Sequence, residues 1–179
     1  NTIGSPVTGT PVQITGAINK TATAGGLAVD YDIFQFQATA GTYYEINVTK
    51  PGGSNAAFIP YVVFLDADGN ASFVNTNKAG RQAARLEALA LTSGTHYIAV
   101  LDARNASEGA APVGGADFTY QVRVSVIERT VTALGNVPVT TAAQTKLDQG
   151  GQTKWFSFVV PADAGVKMYA LDLDLGAAH

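Results

Sequence analysis

Between 118 and 127 the chain alternates without interruption, with Phe118, Tyr120, Val122, Val124 and Val126 on one side and Thr119, Gln121, Arg123 and Ser125 on the other. Successive side chains of an extended strand point to opposite faces, so this pattern specifies a strand with one face in a core. The same arithmetic puts Tyr44, Ile46 and Val48 inward over 42–49, leaving Tyr43, Glu45 and Asn47 outward, and puts Phe34 and Phe36 inward over 32–38. These two stretches are expected to pair across Ala40-Gly41-Thr42. Residues 61–65 are apolar on both faces, as in an interior strand, and Asp68-Gly69 then turns the chain into 71–74. Residues 83–91 contain good helix formers, yet Leu89 and Leu91 alternate and Ser93-Gly94 follows at once, which favours a strand. In the next stretch His96, Ile98 and Val100 alternate with Tyr97, Ala99 and Leu101. Counting 11–14, about eight strands precede Glu128. The expected fold is all-β, an antiparallel two-sheet β-sandwich with a jelly-roll-like order.

Composition narrows the function classes. The 179 residues include no cysteine, which removes disulfide frameworks, thiolate metal sites and cysteine nucleophiles together. Eleven basic residues stand against fourteen acidic ones and are scattered, so no cationic stripe exists to neutralise a phosphate backbone, and no nucleic acid partner is expected. The longest apolar run, 56–65, is broken by Pro60 and is half of the ~20 residues a spanning helix needs, so no membrane insertion is expected. The chain opens on Asn1 with neither an initiator methionine nor an apolar leader, as expected of a processed or excised segment.

Residues after Arg129 echo the start of the chain. Gly9-Thr-Pro-Val-Gln resembles Gly135-Asn-Val-Pro-Val, and Ile33-Phe-Gln-Phe resembles Trp155-Phe-Ser-Phe at an offset of 122 residues. Ala40-Gly41 then matches Ala164-Gly165, and Tyr44, Ile46 and Val48 match Tyr169, Leu171 and Leu173. The expected organisation is a sandwich over 1–128 and the first three strands of a second copy over 129–179. Three strands cannot close a sandwich, so the faces bearing Phe156 and Phe158 need cover, and a homodimer through 129–179 by strand exchange is one source of it.

Five segments in order carry a family likeness: Asp30-Tyr-Asp-Ile-Phe-Gln-Phe; Ala40-Gly41 followed by Tyr44, Ile46 and Val48; Phe64-Leu-Asp-Ala-Asp-Gly-Asn; Ser93-Gly-Thr-His-Tyr-Ile-Ala-Val; and Phe118-Thr-Tyr-Gln-Val-Arg-Val. Over about 8–127 the chain resembles the bacterial pre-peptidase C-terminal domain, a β-sandwich accessory module of secreted peptidases and other surface proteins. The departures are His96, where members usually carry an aromatic, and Ala99, where a basic residue is frequent. The resemblance implies an extracellular, non-catalytic module beside a catalytic or surface domain, assisting attachment, stability or secretion, and in some members binding an insoluble protein or polysaccharide. Related collagen-binding sandwiches clamp calcium with acids ahead of the first strand, whereas residues 1–29 here contain no Asp or Glu. A structural spacer or adhesive repeat is the alternative role.

The chemistry in the residues is sparse. Asp66, Asp68 and Asn70 sit at the first, third and fifth places of a calcium-loop pattern, but Ala71 and Asn77 stand where glycine and a bidentate Glu are required, so a hairpin turn is expected. No cofactor is required by any motif. Asp30 and Asp32, straddling Tyr31 at a strand entry, are the candidate metal pair, with calcium the fitting ion. His96 has no Gly-x-Ser-x-Gly elbow to serve, and a catalytic triad is not expected. Candidate ligand-binding residues lie in the long connection 102–117, namely Arg104, Asn105, Glu108 and Asp117, together with the outward ring of Tyr43.

Overall fold

The structure, a computed structural model, describes residues 1–23, 26–76, 83–106, 111–136 and 154–160; for 21–23, 26–28 and 73–76 it describes the backbone alone. The described residues fall into two units, Asn1–Arg129 and a second that contains 130–136 and 154–160.

The first unit is built from β1 (Val12–Ala17), the short hairpin β2 (Thr21–Thr23) and β3 (Gly26–Ala28), then β4 (Asp32–Ala38), β5 (Tyr43–Thr49), β6 (Pro60–Leu65), β7 (Ala71–Thr76), β8 (Ala83–Leu89), β9 (Gly94–Asp102) and β10 (Thr119–Ile127). A single 3-10 turn, Ala103–Ala106, follows β9. Eight of these strands form two antiparallel sheets of four, in the orders β1-β10-β5-β8 and β4-β9-β6-β7. Among the eight, β6 and β7 alone are neighbours both in sequence and in a sheet; every other connection passes from one sheet to the other. That order is the jelly roll, and it bears out the sandwich read from the alternation.

The inward residues are those the period of two selects. Phe34, Phe36, Tyr44, Ile46, Val48, Tyr120, Val122 and Val124 are all buried in one core with Val62, Phe64, Leu86, Ile98 and Val100. Rings from the two sheets meet edge to face, Phe36 on Tyr44 at 5.2 Å and Phe34 on Tyr120 at 6.3 Å between centroids. Each large apolar side chain so buried contributes about 1.5–3 kcal/mol from area alone.

One expected pairing does not form. β4 and β5 do not make a hairpin across Ala40-Gly41-Thr42; β4 pairs with β9, and β5 pairs with β10 and β8. A short tether suits a hairpin or a corner between sheets stacked ~10 Å apart equally well. The corner prevails because it lets Phe36 and Tyr44 face each other across the core rather than lie side by side. It is held by the Thr39 amide donating to the Tyr44 hydroxyl at 3.0 Å, by the Gly41 amide donating to the Ala90 carbonyl, and by the Ala90 amide donating to the Thr42 carbonyl.

In the second unit β11 (Val131–Asn136) and β12 (Trp155–Val159) form a parallel two-stranded sheet, with Ala133 opposite Ser157. The sequence matches at Ala164, Gly165, Tyr169, Leu171 and Leu173 lie outside the described residues.

Candidate binding surfaces

Antiparallel register gathers most of the sequence-nominated residues at one end of the sandwich. There β1 and β9 end and β4, β6 and β10 begin, since Asp32 pairs with Val100, Pro60 with Asp102, and Ala17 with Thr119. The carboxylate of Asp102 is buried and takes Arg104 in a two-pronged bond, Nε and Nη2 each at 2.8 Å. It also accepts from the amides of Arg104 at 3.0 Å and Ile59 at 3.1 Å. Burial alone would push Asp102 up, but the guanidinium and the two amides outweigh it and hold the carboxyl below the usual carboxylate range. Its Arg104 partner is correspondingly pushed up by that bond. Arg104 also donates to the Ala57 carbonyl at 2.8 Å and lies over the Phe118 ring.

Asn105 is likewise buried. Its side chain amide donates to the Val113 carbonyl and accepts from the Val113 amide, both at 2.8 Å, imitating a strand partner for the returning loop. Asp117 accepts from the Asn55 side chain at 2.7 Å, while the Asp117 carbonyl takes the Asn55 amide. Lys50 donates to the carbonyls of Ala56 and Phe58. Arg104, Asn105 and Asp117 thus lie at the same end, and the bonds they make tie the 102–117 connection to itself and to the loop between β5 and β6. Glu108 lies outside the described residues.

Asp30 and Asp32 sit at the same end. Asp30 accepts the Asn19 amide at 2.7 Å, and Asp32 accepts the hydroxyl of the buried Tyr120. Gly16 makes that second bond possible, since a Cβ there would overlap the Tyr120 hydroxyl. Burial raises the Asp32 carboxyl above its ordinary value, the Tyr120 bond pulls against this, and the Asp30 charge adds to the rise. Burial first, and the Asp32 bond second, drive the Tyr120 phenol far up. Among the described residues no three His, Cys, Asp or Glu side chains converge as a metal would need.

Tyr43 is at the opposite end, and it is not a bare ring: it is half-buried, opposite Leu89 and Ile127 in the register. His96 is buried in the core against Phe64, at 5.3 Å between ring centroids, with Nδ1 3.3 Å from the Gly94 carbonyl. Asp66 closes the β6–β7 turn by accepting the amides of Asp68 at 3.0 Å and Asn70 at 2.8 Å. The Asn70 bonds foremost hold its carboxyl below the usual range.

The surface that residue-by-residue inspection missed is the outer face of the β4-β9-β6-β7 sheet. Alternation turns Ile33 of β4, Tyr97, Ala99 and Leu101 of β9, and Tyr61, Val63 and Leu65 of β6 away from the core and onto one face. Ala99 and Leu101 are buried yet lie outside the inter-sheet core, forming the floor of this face. Tyr61, Val63, Leu65 and Tyr97 are half-buried around them, and at the β4 edge Ile33 is 49% exposed, with Tyr31 beside it at 50%. The signal was present in the sequence: 61–65 is apolar on both faces, and so is β9. That pattern describes strands with sheet neighbours on both sides, but it also requires the outer face to be apolar.

No protein-family model matches the chain, and no curated protein matches it in sequence. Among solved structures it is similar to the pre-peptidase C-terminal domain of a collagenase from Bacillus anthracis, at 17% identity and a TM-score of 0.44, over 70% of this chain and 93% of that one. It is also similar to PliG from Aeromonas hydrophila, a periplasmic inhibitor of g-type lysozyme, at 14% identity and a TM-score of 0.40, over 71% of this chain and 98% of that one.

Proposed function

We propose that the first unit is a non-catalytic attachment module of a secreted bacterial protein, of the pre-peptidase C-terminal kind. In this reading it holds a neighbouring catalytic or surface domain to an insoluble protein or polysaccharide. One observation carries it, the apolar, tyrosine-bearing outer face of the β4-β9-β6-β7 sheet. A face bearing Tyr31 and Ile33 at its β4 edge and Tyr97 and Tyr61 on its central strands suits an extended polymer, because each tyrosine ring presents a rigid apolar plane with a hydroxyl at its rim. Of the nominated loop residues, Arg104, Asn105 and Asp117 hold the end loops in place in this reading.

The test is retention of the chain on insoluble collagen, chitin and cellulose. Binding to one of them, lost on replacing Tyr61 and Tyr97 and kept in Tyr43→Ala, supports the reading. A chain that stays in the supernatant with all three, or one whose retention survives the double replacement, overturns it, and the former outcome favours the spacer role.

A further inference from the structure

The tyrosines on the outer face of the β4-β9-β6-β7 sheet differ from the core tyrosines in what their hydroxyls do. In the core, Tyr44 accepts the Thr39 amide at 3.0 Å and Tyr120 donates to Asp32. The hydroxyls of Tyr31, Tyr61 and Tyr97 have no hydrogen-bond partner among the described residues, and none of them is a buried unpaired atom of the kind that Asn47 Oδ1 is. A phenol that stays in reach of solvent without an internal partner can give its hydrogen bonds to an outside group.

The register sets these rings around one small residue. Ala99 lies between Ile33 and Val63; two positions to one side of it on β9 is Leu101, opposite Tyr61, and two to the other side is Tyr97, opposite Gln35 and Leu65. Asp32 turns inward to Tyr120, so Tyr31 turns outward one step before β4, beside Leu101. With strands ~4.8 Å apart and a rise of ~3.4 Å per residue, Tyr31 and Tyr61 flank Leu101 about 10 Å from each other, and Tyr97 stands about 14 Å from both. Ala99, the smallest side chain of the group, leaves a shallow trough along β9 between them.

The polar atoms at the border of this trough are all uncharged. Gln35 donates from Nε2 to the Thr2 hydroxyl at 2.8 Å, and Gln37 donates to the Thr95 hydroxyl at 2.9 Å, which fixes both carboxamides and leaves their oxygens to accept. No Asp, Glu, Lys, Arg or His stands at the outward positions of β4, β9 and β6. Building on the attachment reading above, we propose that the ligand of this face is an uncharged β-linked polysaccharide lying along β9, with a sugar ring stacked on Tyr97 and donating a hydroxyl to Gln35. Sugar rings present C–H faces that stack on tyrosine, and rims of hydroxyls that both donate and accept. A proline-rich, collagen-like strand offers mainly carbonyl acceptors, so it has little to give the two carboxamide oxygens. A charged polymer would lose hydration here and find no counter-charge.

The test measures depletion isotherms of the full 179-residue chain on insoluble cellulose, chitin and collagen at low and high salt. Retention on cellulose or chitin should be at least tenfold tighter than on collagen and should not change with salt, since no ion pair is involved. Tyr97→Ala should weaken it at least tenfold and Gln35→Ala at least threefold, whereas Gln13→Ala, on the outer face of the other sheet, should leave it unchanged. Tighter retention on collagen overturns the polysaccharide assignment and leaves the attachment reading standing. Retention on none of the three overturns both. Polysaccharide retention that is lost in high salt, or that Gln35→Ala leaves intact, also overturns the assignment.

Discussion

On the outer face of the β1-β10-β5-β8 sheet the register sets Glu45 opposite Glu87 and Asn47 opposite Arg85, whereas on the outer face of β4-β9-β6-β7 it sets Ile33 and Val63 on either side of Ala99. The first face closes on itself. Arg85 bonds both Glu45 and Glu87, and Arg129 bonds Glu87 at 2.6 Å, so the carboxylate of Glu87 is shut away from water between two guanidiniums. The bond to Glu87 in turn raises Arg129. The second face has no such ion pairs among the described residues: Gln35 and Gln37 line its β4 edge, and the positions on β9 and β6 are mostly tyrosines and aliphatics. Two sheets with the same inner rule thus reach opposite outer solutions, one polar and cross-linked by its own charges, the other apolar around Ala99 and Leu101.

Glu87→Ala breaks this comparison on its polar side. It removes the acceptor shared by Arg85 and Arg129 and should cost the first unit about 2–3 kcal/mol in chemical denaturation, toward the lower end for a buried pair because both arginines keep some contact with water. A cost within error of zero would mean that the network is ornament. On the apolar side, Tyr61→Ala with Tyr97→Ala should weaken retention on the preferred polymer at least tenfold, about 1.4 kcal/mol, while moving the unfolding midpoint less than Glu87→Ala does.

The acids at the loop end sharpen the contrast between a bond that holds the fold and one that the fold tolerates. Asp102→Asn loses the charge that Arg104 grips and should cost about 1–2 kcal/mol at neutral pH. Because the folded Asp102 carboxyl lies below its unfolded value of about 3.9, this contribution is present above that value and disappears as pH falls through the lower folded one. Asp32 runs the other way. Its folded carboxyl is raised, so its stabilisation is complete below the unfolded value and is lost as pH rises through the folded one, which makes ionised Asp32 a burden at neutral pH. Asp32→Asn should therefore leave stability at neutral pH unchanged or raise it by less than about 1 kcal/mol, with any gain vanishing in acid. Equal destabilisation by the two substitutions would contradict the assignment. The smallest effect concerns calcium: with Asp30 and Asp32 occupied by Asn19 and Tyr120, chelation should leave the thermal midpoint of the first unit where it was.

Much of this molecule was readable in its residues. The alternations at 32–38, 42–49 and 118–127 named the core side chains correctly, because a period of two with one apolar side has a single stable placement whatever surrounds it. The Asp66 to Asn70 turn was readable for the same local reason, since Asx geometry depends only on nearby amides. His96 stood among apolar neighbours on its strand face, and it is packed with them. The candidate site was less legible. Arg104, Asn105 and Asp117 were nominated together as ligand-binding residues, but what they bond to was not readable, because Ala57, Val113 and Asn55 reach them only through loop returns. Tyr43 looked outward and is half-buried, since facing away from the core does not settle what the neighbouring strands place beside it.

The sequence by itself determined the strands, their inward faces and the turns, all of which rest on steric and solvation rules acting within a few residues. Only the tertiary structure decided that β4 and β5 part at a corner instead of closing a hairpin, and that Glu87 is buried between Arg85 and Arg129. It alone assembled the apolar halves of β9 and β6 with Ile33 into one surface. Partner choice between strands, and the company a side chain keeps on a sheet face, are settled by the burial of every strand at once, and no stretch of the chain carries that sum alone.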